Sequence, residues 1–129
     1  MKIVLIDDEP AVLNILSRMF QRRGHEVLTY VNPVACPIYS SAHGSCFPQS
    51  KCPDIIISDV DMPGVNGLKF IDTVFQKGCK CKHVALLTGK GISDQDMKRM
   101  AKLGARCFTK PLDFAEFEAW LMFREQSYN

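Results

Sequence analysis

Residues 54–67 read DIIISDVDMPGVNG. Three consecutive isoleucines, Ile55 to Ile57, leave no alternation between a wet and a dry face, so this short strand has to be covered on both sides, as in a parallel sheet between helices. The apolar run then delivers a carboxylate, Asp59. The chain turns at once, because Met62-Pro63-Gly64 and Asn66-Gly67 supply a preset φ and a tolerance of positive φ. The turn is expected to leave Asp59 exposed at the rim of the sheet.

The rest of the chain repeats the pattern of apolar run, polar end and helical stripe. Lys2 to Ile6 is a strand that ends in Asp7, Asp8 and Glu9, and Pro10 suits the first turn of the helix that follows. Val12, Ile15, Leu16, Met19 and Phe20 recur at helical spacing, with Gly24 as the stop and Glu26 to Tyr30 as the next strand. The segment at about 33–53 is irregular and rich in proline and cysteine, with at most a short helix near Pro33 to Ser41. After the central strand, Leu68, Ile71, Val74 and Phe75 form a stripe closed by Gly78. His83 to Leu87 is a strand ending at Thr88. Ser93 and Asp96 resemble a capping box for a helix that turns Met97, Met100 and Ala101 inward and stops at Gly104. Arg106 to Thr109 is a last strand ending at Lys110-Pro111. A final helix at about Asp113 to Glu125 buries Phe114, Phe117, Trp120 and Leu121.

Five strands alternating with helical segments specify an α/β fold: a doubly wound five-stranded parallel sheet, flavodoxin-like, in the order 2-1-3-4-5. At 129 residues the chain is expected to be a single domain over 1–129. Its formal charge of +2 comes from nearly balanced acids and bases, and the basic pairs Arg22-Arg23 and Lys98-Arg99 read as solvated helix faces, not as a nucleic-acid surface. No apolar run reaches the ~20 residues of a membrane span, and acids follow Ile6 too soon for a signal peptide, so the expected compartment is the cytoplasm, without membrane association. Reduced thiols are then the expectation for the six cysteines.

Ligands of such sheets bind at the carboxyl ends of the strands. Four strands bring polar groups there: Asp7 and Asp8, Asp59, Thr88, and Lys110. Three clustered carboxylates repel one another and outnumber one lysine, an imbalance that a divalent cation resolves. Oxygen donors without histidine or cysteine suit Mg²⁺ or Mn²⁺, which shares its shell readily with phosphate. Such a rim is suited to phosphoryl transfer onto Asp59, with Lys110 and Thr88 contacting the transferred group.

LIDDEP at the start, SDVDMPGVNG, the run ending LLTG, and TKPLD, in that order, resemble a response-regulator receiver domain, the CheY-like fold of two-component signalling, over essentially the whole chain. The resemblance implies that Asp59 is the phosphoacceptor, Asp8 a direct metal ligand, Asp7 a mainly water-mediated one, and the Asp61 backbone carbonyl a further ligand. It makes Lys110 the phosphoryl contact and Thr88 the switch hydroxyl. The implied donor is a phosphohistidine on a histidine kinase or histidine phosphotransfer protein. The implied output is a downstream protein effector docking on helix 4, strand 5 and helix 5, about Ser93 to Phe123, in a chain that is not an enzyme beyond its own phosphorylation and dephosphorylation.

Three features depart from that pattern. The family usually carries an aromatic three residues before the lysine. Here Cys107 stands in that place and Phe108 follows it, on the opposite face of the strand. Asp61 and Lys90, two residues after the acceptor and the threonine, are charges that pair across the site and slow hydrolysis in one reading and are solvated in the other. Cys36, Cys46 and Cys52 precede strand 3, while Cys79 and Cys81 precede strand 4, so Cys52, Cys79 and Cys81 are expected to gather at the bottom edge of the sheet. They are ordinary thiols or a metal or redox site tethering the irregular segment; His25, His43 and His83 form no ligand spacing with them. Two further functions compete: a constitutive docking module that needs no phosphorylation, and a phosphatase in which Asp59-Val-Asp61 is a DxD nucleophile motif.

Overall fold

A computed structural model of the chain describes residues 1–40, 52–89 and 91–128. The elements are β1 (Lys2–Ile6), α1 (Pro10–Arg22), β2 (Glu26–Tyr30), a 3-10 turn (Pro33–Ala35), α2 (Pro37–Ser40), β3 (Ile55–Asp59), α3 (Gly67–Gln76), β4 (His83–Thr88), α4 (Asp94–Leu103), β5 (Arg106–Thr109) and α5 (Phe114–Tyr128). All four strand pairings are parallel, in the order β2-β1-β3-β4-β5. Cys46, His43 and Lys90 lie outside the described residues.

Both faces of the sheet are covered. Ile3, Leu5, Ile55, Ile57 and Phe108 pack with Leu16 and Phe20 of α1 and Phe117, Trp120 and Leu121 of α5. On the other face Val4, Ile6, Ile56, Val84 and Leu86 pack with Phe70, Ile71 and Val74 of α3 and Met100 of α4. The three isoleucines of β3 are completely buried, as a strand wedged between two helical layers requires. Phe108 lies 4.8 Å from Phe117 and 5.8 Å from Trp120 between ring centroids, fixing α5 over β5.

Turn chemistry sets the helix starts. Asn66 caps α3 by accepting from the Leu68 amide at 2.8 Å, and Ser93 caps α4 by accepting from Asp96 at 3.1 Å. Each cap stabilises its helix by about 1 kcal/mol. Gly104 closes α4 in the left-handed conformation with φ 69°.

Four positions expected inside are not. Ile15, Met97, Ala101 and Phe114 are exposed. Their helices are amphipathic over a narrower stripe than helical spacing alone suggests, since Leu13, Leu16 and Phe20 suffice to cover α1's part of the sheet and Met100 is the buried residue of α4. Phe70, absent from the expected α3 stripe, is completely buried and meets Tyr39 at 5.6 Å.

Candidate functional site

Strand register brings the site together. Ile6 pairs with Ser58, so the next residues, Asp7 and Asp59, leave neighbouring strands side by side. Thr88 pairs with Thr109, which sets Lys110 one step beyond. Side chains alternate along each strand, and Asp7, Asp59 and Lys110 continue the rows that hold Leu5, Ile57 and Phe108 on the α1/α5 face. Thr88 continues the row of Val84 and Leu86 on the other face. The lysine therefore meets the acids, while the threonine approaches from across the sheet.

Lys110 Nζ lies 2.9 Å from Asp7 Oδ2, 3.0 Å from Glu9 Oε1 and 3.3 Å from Asp59 Oδ2. Its own amide donates to the Thr88 carbonyl at 2.8 Å, and the Val60 amide donates to Leu87 at 2.8 Å, so the loops after β3 and β5 are held to β4. Burial works against the charge on Lys110. The close contacts with Asp7 and Glu9, together with the charges of Asp7 and Asp59, more than offset it and hold the ammonium's pKa above the ordinary lysine value.

Asp59, expected at an exposed rim, is only 3% exposed. Asp7, Lys110 and the loop leading to α3 close over it, and its Oδ1 accepts from the Asp61 amide at 3.3 Å. Burial, with the charge of Asp7 beside it, raises the Asp59 pKa to about 6 against the pull of Lys110. Asp7 is buried as well. Desolvation raises its pKa, opposed by the Glu9 amide that donates to its Oδ1 at 2.9 Å and by Lys110. Its Oδ2 is within ion-pair distance of Lys110 but receives no well-directed hydrogen bond.

Thr88 is buried, and its hydroxyl donates to Asp61 Oδ2 at 3.1 Å and approaches the Gly91 carbonyl at 3.4 Å. The Asp61 carboxylate, read from the sequence either as pairing with Lys90 or as solvated, accepts from the threonine, and Lys90 lies outside the described residues. An open depression of about 600 Å³ beside Asp8 is lined by Asp61 and the residues from Met62 to Asn66.

The donor set fits a hard divalent cation. Asp7, Asp8, Glu9 and Asp59 each offer an oxygen within 4.8 Å of the others, two of them buried and two exposed, and Asp7 Oδ2 is a buried acceptor without a hydrogen bond of its own. Among the described residues this is the one convergent group of three or more His, Cys, Asp or Glu side chains. Glu9 was visible as an acid next to Asp8, but its tie to Lys110 was not anticipated. Gly67 was read only as part of a turn, yet its amide donates to the Val60 carbonyl at 3.0 Å and a Cβ there would lie 2.2 Å from the Asp59 carbonyl oxygen. Asn-Gly after an acid-terminated strand is the one signal in the sequence that bears on it.

Of the residues singled out for the missing family aromatic, Phe108 is buried on the α1/α5 face and Cys107 is half-buried on the face shared with Thr88, as strand alternation requires. Cys36 packs near Tyr30 in the same buried cluster that holds Cys79 and Cys81.

Residues 3–121 match the family model described as the response regulator receiver domain. Protein PilH of Pseudomonas aeruginosa is 28% identical over 116 residues, spanning 87% of each chain. A protein-glutamate methylesterase/protein-glutamine glutaminase of Hahella chejuensis is 26% identical over 111 residues, but these make up only 28% of its length. The chemotaxis protein CheY4 of Vibrio cholerae superposes with a TM-score of 0.71 at 25% identity, over 94% of this chain and 95% of its own.

Proposed function

The chain belongs to the response regulator receiver domain family, and from that premise we propose that Asp59 accepts a phosphoryl group from a phosphohistidine on a histidine kinase or phosphotransfer protein, in a Mg²⁺-dependent reaction. The observation that carries the reading is the convergence of Asp7, Asp8, Glu9 and Asp59 on one point with Lys110 Nζ 3.3 Å from Asp59 Oδ2. Asp8, Asp59 and the Asp61 backbone carbonyl would hold a Mg²⁺, with Asp7 reaching it through water, and the ion would supply positive charge to the phosphoryl oxygens. Mn²⁺ suits the same donors.

The chain's own groups do the remaining work. The Asp59 carboxylate attacks phosphorus as the bond to the donor imidazole breaks, and its burial leaves it little water to shed. Lys110, held charged by its acids, faces the developing negative charge. Thr88 reaches a phosphoryl oxygen only by giving up Asp61, so phosphorylation and the release of that hydrogen bond are linked. Hydrolysis then splits the acyl phosphate with water. In this reading Asp61 and Lys90, two residues after the acceptor and the threonine, together slow that step.

Met97 on α4 and Met122 and Phe123 on α5 are exposed apolar side chains, Phe123 at 61%, which supports docking of a downstream protein effector on the α4, β5 and α5 face. The receiver in this reading comprises residues 1–129 and has no catalytic activity toward a separate substrate. No described helix is long and apolar enough to cross a membrane. Intact mass after incubation with acetyl phosphate and Mg²⁺ tests the chemistry. One added phosphoryl group is expected, lost in Asp59→Ala and without the metal. No gain in a folded, metal-binding protein favours a constitutive docking module instead.

A further inference from the structure

At the edge of the sheet opposite Asp59, the chain entering β3 meets the turn between α3 and β4. Cys52 Sγ accepts a hydrogen bond from the Lys80 amide at 3.2 Å, a contact open to solvent. Standard backbone dimensions put any atom so placed within about 6 Å of the Cys79 Cα, so a small approach of the two segments brings the sulfurs into disulfide geometry. Backbone hydrogen bonds anchor the chain just after Cys52 and at Cys79. Asp54, two residues after Cys52, donates its amide to the Lys2 carbonyl at 2.8 Å and accepts from the Lys2 amide at 2.8 Å. Cys79 donates its amide to Val74 at 3.0 Å, closing α3. Cys79 and Cys81 are buried, and half-buried Cys52 packs against the same cluster.

We propose that Cys52 and Cys79 form a thiol pair that oxidises to a disulfide, pinning the segment that precedes β3 to the turn that precedes β4. Cys81 is the less suited partner, because its thiol is directed at the carbonyls of His83 at 3.2 Å and Asp54 at 3.5 Å. Two-thiol chemistry is favoured over a metal because, among the described residues, no group of three ligands includes a cysteine. The oxidant is a low-molecular-weight disulfide such as oxidised glutathione. The accessible Cys52 thiolate attacks it, releasing one reduced thiol and leaving a mixed disulfide. Cys79 then attacks the Cys52 sulfur and releases the second, so two protein thiols and one small disulfide become one protein disulfide and two small thiols.

The test starts from the reduced full chain, exposes it to oxidised glutathione, and counts thiols by alkylation and mass after denaturation, with peptide mapping under non-reducing conditions. The count is expected to fall from the six cysteines of the sequence to four, with one linked peptide joining Cys52 to Cys79. Cys81→Ser should keep that link. Cys52→Ser, at a half-buried position and checked for fold by circular dichroism, should lose it. Six alkylated thiols after oxidation, a link from Cys52 to any other cysteine, or stoichiometric zinc in the reduced protein that shields these thiols until chelated would overturn the proposal.

Discussion

Gly67 has no side chain because Asp59 leaves no room for one. The atom that a Cβ would strike, at 2.2 Å, is the carbonyl oxygen of Asp59 itself, with the Asp59 carbonyl carbon and the Val60 Cα at 2.9 Å. Backbone cannot yield as a side-chain tip does, so Gly67→Ala is expected to destabilise the fold by about 1–3 kcal/mol in urea titration and to lower the yield of phosphorylated protein in the fraction that remains folded. Phe108 tests a different point. Its ring packs among Phe117, Trp120 and the α1 residues on the face away from Thr88, so Phe108→Ala should cost about 3–5 kcal/mol by the same titration while leaving acetyl-phosphate labelling of folded protein intact. At this scale the sequence was readable where a strand ended. Asp7, Asp59, Thr88 and Lys110 could be named because each stands at or just beyond the end of an apolar run. It was not readable where a loop decides the partner. The burial of Asp59, the tie of Glu9 to Lys110 and the hydrogen bond from Thr88 to Asp61 depend on how the turns after β1 and β3 close, which spacing along the chain does not encode.

Among the elements, α5 is the one anchored at both ends by different forces. Its first half is fixed by aromatic packing on β5 and α1. Its second half is fixed by charge: Glu125 receives Arg23 Nε at 3.1 and 3.0 Å and Nη2 at 2.5 Å, and lies 2.5 Å from His25 Nε2, whose other ring nitrogen is 2.9 Å from the amino terminus. Arg23 holds the Glu125 carboxyl below its ordinary value of 4.5, burial opposes this, and His25 adds to it. The folded carboxyl is thus the weaker base, and on acidification the unfolded chain takes up its proton first. The stability contributed by Glu125 is present above its ordinary value and is lost as pH falls through the depressed folded value. Thermal unfolding should accordingly separate wild type from Glu125→Gln at pH 7 and bring the two together on acidification below the depressed folded value. The helix itself was legible from Phe117, Trp120 and Leu121. This network was not, because it joins residues about a hundred positions apart whose polarity suits any exposed surface.

For the whole molecule, the site is a consequence of sheet order and register. Placing β1 and β3 side by side at the centre sets Asp7 beside Asp59, and β5 beyond β4 carries Lys110 back over both. That order followed from alternating strands and helices with right-handed crossovers, which is why the architecture was legible in full while the widths of the buried helix faces were not. The Met97, Ile15 and Phe114 positions show the reason: helical spacing marks a face, but how much of it is covered depends on neighbours that only the assembled layers define. Borohydride reduction reports on an acyl phosphate at Asp59, since it converts an aspartyl phosphate to homoserine. After treatment with acetyl phosphate and Mg²⁺, peptide mass spectrometry should find homoserine at position 59 and nowhere else. Homoserine at Asp7, Asp8 or Asp61, or a phosphoryl group that survives reduction on a serine, threonine or histidine, would contradict the account.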